Sequence, residues 1–187
     1  MKTYILPSLK LTFILIIICA VLYPLLITGI AKAAPGGGKG VTISVNNKVV
    51  GYENVGQKFT DDKYFQGRPS AVNYNAAGSG GSNKAPSNAE YLAQVKARID
   101  TFLVHNPDMK KSDVPSELVT ASGSGLDPDI SPEGALVQVK RIAKIRNIDE
   151  EKLKQLIVEQ TQKPLLGFLG PKKVNVLKLN IELNNLK

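Results

Sequence analysis

The sequence predicts an α+β protein, with one amino-terminal transmembrane helix ahead of a single soluble domain containing a small sheet and about three helices. Three observations carry this. Residues 11–30 form an uncharged apolar run, apolar residues recur at helical spacing in three later segments, and stretches near 41–52 and 177–183 alternate apolar with polar side chains. The chain divides accordingly into a short tail at 1–10, a membrane helix at 11–31, a Gly-rich linker at 32–40 and a soluble domain at 41–187.

Helical residues rise about 1.5 Å each, so the run reaches about 30 Å, the thickness of a bilayer's hydrocarbon core. Lipid offers no hydrogen-bond partners, which requires the run to be helical. Ala31-Lys32-Ala33 has the form of a signal-cleavage site, yet secretory apolar regions run only about 7–15 residues, so the segment reads as an uncleaved anchor. Pro24 is expected to kink it. Lys2 and Lys10 precede the run, and Lys32, Lys39 and Lys48 follow it. This near tie, with a short leading tail, favours a cytoplasmic amino terminus and an extracytoplasmic domain.

The net charge is +8, but the basic residues are scattered as pairs such as Lys110-Lys111 and Lys172-Lys173, and there is no Trp. The interleaved aromatics of a nucleic-acid platform are missing, so no nucleic-acid partner is expected. The one cysteine, Cys19, lies in the anchor, and His105 is the one histidine. Neither an intramolecular disulfide nor a clustered metal site is expected.

The linker AAPGGGKG should act as a flexible joint without regular structure. A hairpin is expected at 41–52, turning at Asn46-Asn47. Residues 66–88, rich in Gly, Ser, Asn and Pro, read as a long loop, which in a compact domain is functional or disordered. A helix should start at Ser87 with Glu90 completing a capping box. Leu92, Val95, Ile99 and Phe102 would face the core, Asn106-Pro107 would end the helix, and His105 would sit at its dipole's negative end. After a second irregular segment, Ser131-Pro132 reads as an N-cap with proline at the first helical position. Leu136, Val139, Ala143 and Arg146 would line one face of that helix and Asn147 would stop it. Asp149 would cap the next helix, which runs to about Gln160 with Leu153, Leu156 and Ile157 inward. Leu177, Leu179, Ile181 and Leu183 alternate, predicting a final strand with a bulge near Val176-Leu177, in one sheet with the hairpin.

Catalytic patterns are missing. A nucleophilic triad would depend on His105, and Ser122-Gly123-Ser124-Gly125 lacks the flanks of a nucleophile elbow. Asp127 and Asp129 lack calcium-loop spacing. Neither GGGKG at 36–40 nor GSGGSNK at 78–84 has P-loop spacing, so no cofactor is expected to bind autonomously.

Three blocks then occur in order: Tyr64-Phe65-Gln66-Gly67-Arg68-Pro69-Ser70-Ala71 with Gly80-Gly81-Ser82-Asn83; Leu118-Val119-Thr120-Ala121-Ser122 through Gly125-Leu126-Asp127 and Ile130-Ser131-Pro132; and Gln138 with Arg141-Ile142-Ala143-Lys144. With the single anchor and the closing Val174-Asn175-Val176-Leu177-Lys178-Leu179-Asn180, the chain closely resembles the KdpC family, the C subunits of the Kdp potassium-transporting ATPase, over nearly its whole length. The resemblance implies a non-catalytic subunit of an ATP-driven, high-affinity potassium uptake complex in the cell membrane. In that family a channel-like subunit carries the ion, a P-type ATPase subunit hydrolyses ATP, and a small single-span subunit completes the complex. The C subunit is implied to help assembly and to act as a catalytic chaperone, raising the ATPase subunit's affinity for ATP. ATP would be reached through that partner.

Gln138 matches the family glutamine that has been compared with an ABC-type signature residue, and so is the candidate nucleotide-related position, although no LSGGQ stands here. Arg68, Pro69, Gly80, Gly81, Ser82 and Asn83 are the expected partner interface, over the channel-like subunit near its potassium entrance. A domain outside the membrane cannot bring Gln138 to cytoplasmic ATP, so an effect on nucleotide affinity would travel through the complex. The rival reading is a free-standing, membrane-anchored extracytoplasmic binding module using the same loop.

Overall fold

The computed structural model describes residues 2–186, in two compact units divided between Thr42 and Ile43. The first unit is the apolar helix: α1 (Lys2–Ile17), a π-helical turn (Ile18–Leu22) and α2 (Tyr23–Lys32) follow without a break. Tyr4–Lys32 forms a 29-residue helix whose most apolar 18-residue stretch has mean hydropathy 2.8, long and apolar enough to cross a bilayer. Helix begins upstream of the uncharged run. The π turn lies immediately before Tyr23 and Pro24, where proline withholds a backbone donor and the ladder must readjust. Thr28 Oγ1 donates to Pro24 O at 2.7 Å and Ser8 Oγ to Tyr4 O at 2.9 Å, so these hydroxyls are satisfied within the helix itself. The glycine segment departs from the expectation of no regular structure. Residues 34–39 form two successive i→i+3 turns, Gly37 N donating to Ala34 O and Lys39 N to Gly36 O, with left-handed φ at Gly36, Gly37 and Gly38 that glycine alone adopts freely.

In the second unit, β1 (Thr42–Val45) and β2 (Lys48–Tyr52) form the expected hairpin, with Asn46 and Asn47 at φ 50° and 62° as a two-residue primed turn requires. This hairpin is a sheet of its own. The other sheet has the order β3-β5-β4 and is antiparallel, from β3 (Asp129–Ile130), β4 (Thr161–Gln162) and β5 (Lys173–Asn175). Val174 pairs with Ile130 on one side and Thr161 on the other and is fully buried.

Helix α3 (Ala89–His105) starts one residue later than expected, because Asn88 rather than Ser87 caps it: Asn88 Oδ1 accepts from Tyr91 N at 2.9 Å. Glu90 pairs with Lys84 instead of closing a capping box. Only the carboxyl-terminal turn of α3 reaches the core, so Phe102 is buried while Leu92 stays exposed. Ser131 caps α4 (Pro132–Leu136), with its hydroxyl accepting from Gly134 N at 2.9 Å. A tight turn at Val137-Gln138, in which Gln138 N donates to Ala135 O, separates α4 from α5 (Val139–Arg146). That turn breaks the single face expected of this stretch. It leaves Leu136 outside and carries Gln138, Val139, Ile142 and Ala143 inside. Asn147 ends α5 in the left-handed conformation and Asp149 caps α6 (Glu150–Gln160), whose Leu153, Leu156 and Ile157 are buried.

The closing segment corrects the sequence reading. It is helix α7 (Val176–Asn185), not a strand with a bulge, and the hairpin therefore does not share a sheet with it. Asn175 caps α7, its Oδ1 accepting from Lys178 N at 3.1 Å. Val176, Leu179, Asn180 and Leu183 turn inward at the i, i+3, i+4 and i+7 spacing of a helix. Leu179 and Leu183 belong to both periodicities, and a buried polar Asn180 hid the helical one. The core lies where α4–α7 close over the three-stranded sheet, with Phe65, Phe102 and Leu118 sealing its other side.

Truncation of buried Leu183 to alanine is expected to cost about 2–5 kcal/mol. Ile181→Ala, at a half-buried position, is expected to cost clearly less. Denaturant unfolding of the detergent-solubilised chain measures both; equal losses would contradict the helical burial pattern.

Candidate functional site

Residues 62–70 lie outside every helix and strand, and their backbone is held largely by side chains. Arg146 Nε donates to Lys63 O at 2.7 Å and Arg141 Nη2 to Tyr64 O at 3.2 Å. Phe65 is gripped from both ends of its peptide: its N–H donates to Asn180 Oδ1 and its carbonyl accepts from Asn180 Nδ2, both at 2.9 Å. Gln66 is held in the same way by Gln138, with its N–H on Oε1 at 2.8 Å and its carbonyl on Nε2 at 3.1 Å. Each primary amide reproduces one rung of a β-ladder. The ring of Phe65 fills the core beneath.

Gln138, the candidate nucleotide-related residue, is fully enclosed. Its Nε2 also donates to Gly134 O at 2.9 Å, and its Oε1 accepts from Arg141 Nη2 at 2.8 Å. A primary amide has two donors and two acceptor lone pairs, and all four are engaged. Arg141 stands three residues on, buried, with Nε on Asn106 Oδ1 at 3.2 Å and Nη1 on Asp62 O at 2.5 Å. Burial pulls the Arg141 guanidinium below its usual pKa, and the neighbouring Asp62 carboxylate works against that pull. Asp62 also meets His105, whose Nδ1 lies 2.8 Å from Oδ2. Arg146 stacks 4.9 Å from the centre of the Tyr64 ring, closing this end of the segment.

Beyond Gln66 the two irregular stretches interlock. Ser122 N donates to Pro69 O at 3.1 Å, Ser70 Oγ to Gly125 O at 2.7 Å, and Gly80 N to Ser124 O at 2.8 Å. Gly125 has φ +67°, and a Cβ there would lie 2.8 Å from Gly80 O, so both conformation and space demand glycine. Tyr74 OH donates to Arg68 O at 2.5 Å, and burial pushes its phenol upward in pKa.

The interface residues expected from sequence are divided by this arrangement. Arg68 forms an ion pair with Asp127 at 3.0 Å, while its Nε is buried without a hydrogen-bond partner among the described residues. Pro69 and Gly80 serve the interlock through their backbones, and a Cβ on Gly81 would lie 2.9 Å from Gly123 O. Ser82 is partly exposed, and Asn83 is exposed with φ 51°. Arg68 and Pro69 line a cavity of about 590 Å³ that also carries Lys58, Arg98, His105 and the Thr60 and Thr101 hydroxyls. No carboxylate is among its lining residues, so the recess suits an acidic group. Asp62 escaped the sequence reading, and Arg141 and Asn180 entered it only within the blocks that carry the resemblance, with no role assigned. The one available signal was the three-residue spacing of Gln138 and Arg141, which puts both on one helix face.

A family profile named KdpC, described as K+-transporting ATPase, c chain, matches residues 5–185. Among similar proteins, the potassium-transporting ATPase KdpC subunit of Flavobacterium psychrophilum is 62% identical over 179 residues, 96% of each chain. That of Bacteroides fragilis is 52% identical over 190 residues, 100% of this chain and 99% of the relative. That of Bacillus cereus is 47% identical over 182 residues, 96% and 94% respectively. Both the profile and these relatives run through the apolar helix and the interlocked loops alike, and on that ground the chain belongs to the KdpC family of K+-transporting ATPase subunits.

Proposed function

We propose that the chain is the non-catalytic accessory subunit of a P-type potassium pump. It joins the channel-like subunit, the P-type ATPase subunit and the small single-span subunit, and raises the ATPase subunit's affinity for ATP. The observation that carries this reading is the family match across residues 5–185. The apolar helix supports a single-pass membrane location, and the lysines flanking it favour a cytoplasmic amino terminus with the soluble unit outside. The geometry supports an indirect route to ATP, because Gln138 spends its hydrogen-bonding capacity on Gln66, Gly134 and Arg141. Its influence on nucleotide affinity runs through the 62–70 segment that it fixes, by favouring one pump conformation over another. The recess around Arg68 is the contact surface, with Lys58, Arg98 and the accessible part of the Arg68 guanidinium taking an acidic group of the channel-like subunit.

The test is potassium-stimulated ATPase activity of the solubilised pump, titrated against ATP with and without this chain. Loss of activity, or a large rise in the ATP requirement, is expected when the chain is left out. Unchanged activity with the other subunits still associated would favour the free-standing binding module. Gln138→Ala orphans Gln66's peptide groups at about 1–3 kcal/mol each, so the unfolding midpoint and ATP affinity are expected to fall together. A higher ATP requirement at an unchanged midpoint would point to direct nucleotide contact instead. Arg68→Ala and Asn83→Ala are expected to weaken co-purification with the channel-like subunit; full assembly and transport by both variants would remove the loop from the interface.

A further inference from the structure

Between β4 and β5 the chain projects a turn, Pro164-Leu165-Leu166-Gly167-Phe168-Leu169-Gly170-Pro171, without one polar side chain. Leu165, Leu166, Phe168 and Leu169 are 70%, 75%, 74% and 51% exposed, a cluster of large apolar groups that water disfavours. The turn is built to hold them outward. Leu166 adopts φ 55° and Gly167 and Gly170 have φ 84° and 92°, and a left-handed conformation at leucine carries a backbone cost. Its backbone is also closed on itself. Leu165 N and Leu169 O pair at 3.0 Å, Gly167 N donates to Pro164 O, and Phe168 N and Leu169 N donate to Leu165 O, while Pro164 and Pro171 bring no N–H at all. Four of the turn's six peptide N–H groups are thus paired internally, which lowers the cost of entering a phase without hydrogen-bond partners.

Lysines bracket the apolar tip. Lys163 and Lys172 are exposed on either side, and Lys173 pairs with Asp129 at 2.6 Å just behind. Ten residues, 33–42, separate the end of the apolar helix from the second unit. Fully extended they reach only about 35 Å, so a helix that spans the bilayer keeps Ile43, where the second unit begins, within that distance of its surface.

We propose that the 164–171 turn inserts into the membrane interface, with Leu165, Leu166, Phe168 and Leu169 among the upper acyl chains and Lys163 and Lys172 on lipid phosphates. This gives the soluble unit a second membrane contact besides its covalent tether. It rests on the reading of the amino-terminal helix as a membrane span and is independent of the chaperone role.

The chain has no Trp, so Phe168→Trp supplies a single reporter. The full chain, as the sole protein present, is reconstituted in phosphatidylethanolamine–phosphatidylglycerol vesicles whose acyl chains are brominated near the headgroup. Blue-shifted indole emission, quenched by brominated lipid and protected from iodide, is the expected result, and adding Leu166→Asp and Leu169→Asp is expected to abolish the quenching. Blue-shifted emission without lipid quenching would place the tip in a protein groove, and iodide-accessible emission would leave it in water; either overturns the proposal. Phe13→Trp, in the apolar helix, is the companion: if that indole also escapes lipid quenching, the membrane span itself fails and the proposal with it.

Discussion

The soluble unit depends on a grip of side chain on backbone. Residues 62–66 have no strand neighbour, yet they cross the core with Phe65 beneath them. Peptide groups enclosed without partners are costly, about 1–3 kcal/mol each, and here side chains supply the missing ladder. Asn180 takes both polar groups of Phe65, Gln138 both of Gln66, and Arg141 and Arg146 the carbonyls before them. Because Asn180 stands on α7 and Gln138 precedes α5, the same bonds lock two helices to one loop. The left-handed Asn147, the turn at Val137-Gln138 and the cap at Asn175 all set the angle at which those amides arrive.

Local chemistry was readable in the sequence wherever one residue decides the outcome. The asparagine pair turns the hairpin, Ser131-Pro132 opens α4, Asn147 closes α5 and Asp149 opens α6. Periodicity misled at the carboxyl end, because Leu179 and Leu183 satisfy a period of two and a helical period equally. The inward residue that separates the two readings is Asn180, which pattern counting assigns to the surface. The grip itself has almost no local signature, since its partners lie 72 and 115 residues apart. For the candidate site, the blocks containing Arg68 and Gln138 could be picked out, but not their division of labour: one amide is enclosed and saturated, and one guanidinium, paired with Asp127, lines a recess.

The two glycine- and serine-rich stretches show why a composition typical of disorder need not give it. Neither 66–88 nor 114–130 contains a helix longer than one 3₁₀ turn, yet each supplies the other's hydrogen bonds through Pro69, Ser70, Gly80, Ser122, Ser124 and Gly125. Small residues let two backbones approach as two β-strands would, without strand pairing. The ordering entropy of both loops is offset jointly, which ties the surface near Arg68 to the integrity of the second stretch.

The reach of the Asn180 grip has a consequence for how the chain is made. Synthesis delivers the apolar helix first, then Phe65, and only 115 residues later the amide that closes on it. Until α7 emerges, the nascent domain holds an unsealed core and a segment with unclaimed peptide groups. Late closure of a distant contact is slow and exposes the chain to association with its neighbours. Native structure in this unit is therefore completed only once α7 has been made, and a ribosome stalled before Asn180 leaves behind a membrane-tethered fragment that lacks its clasp.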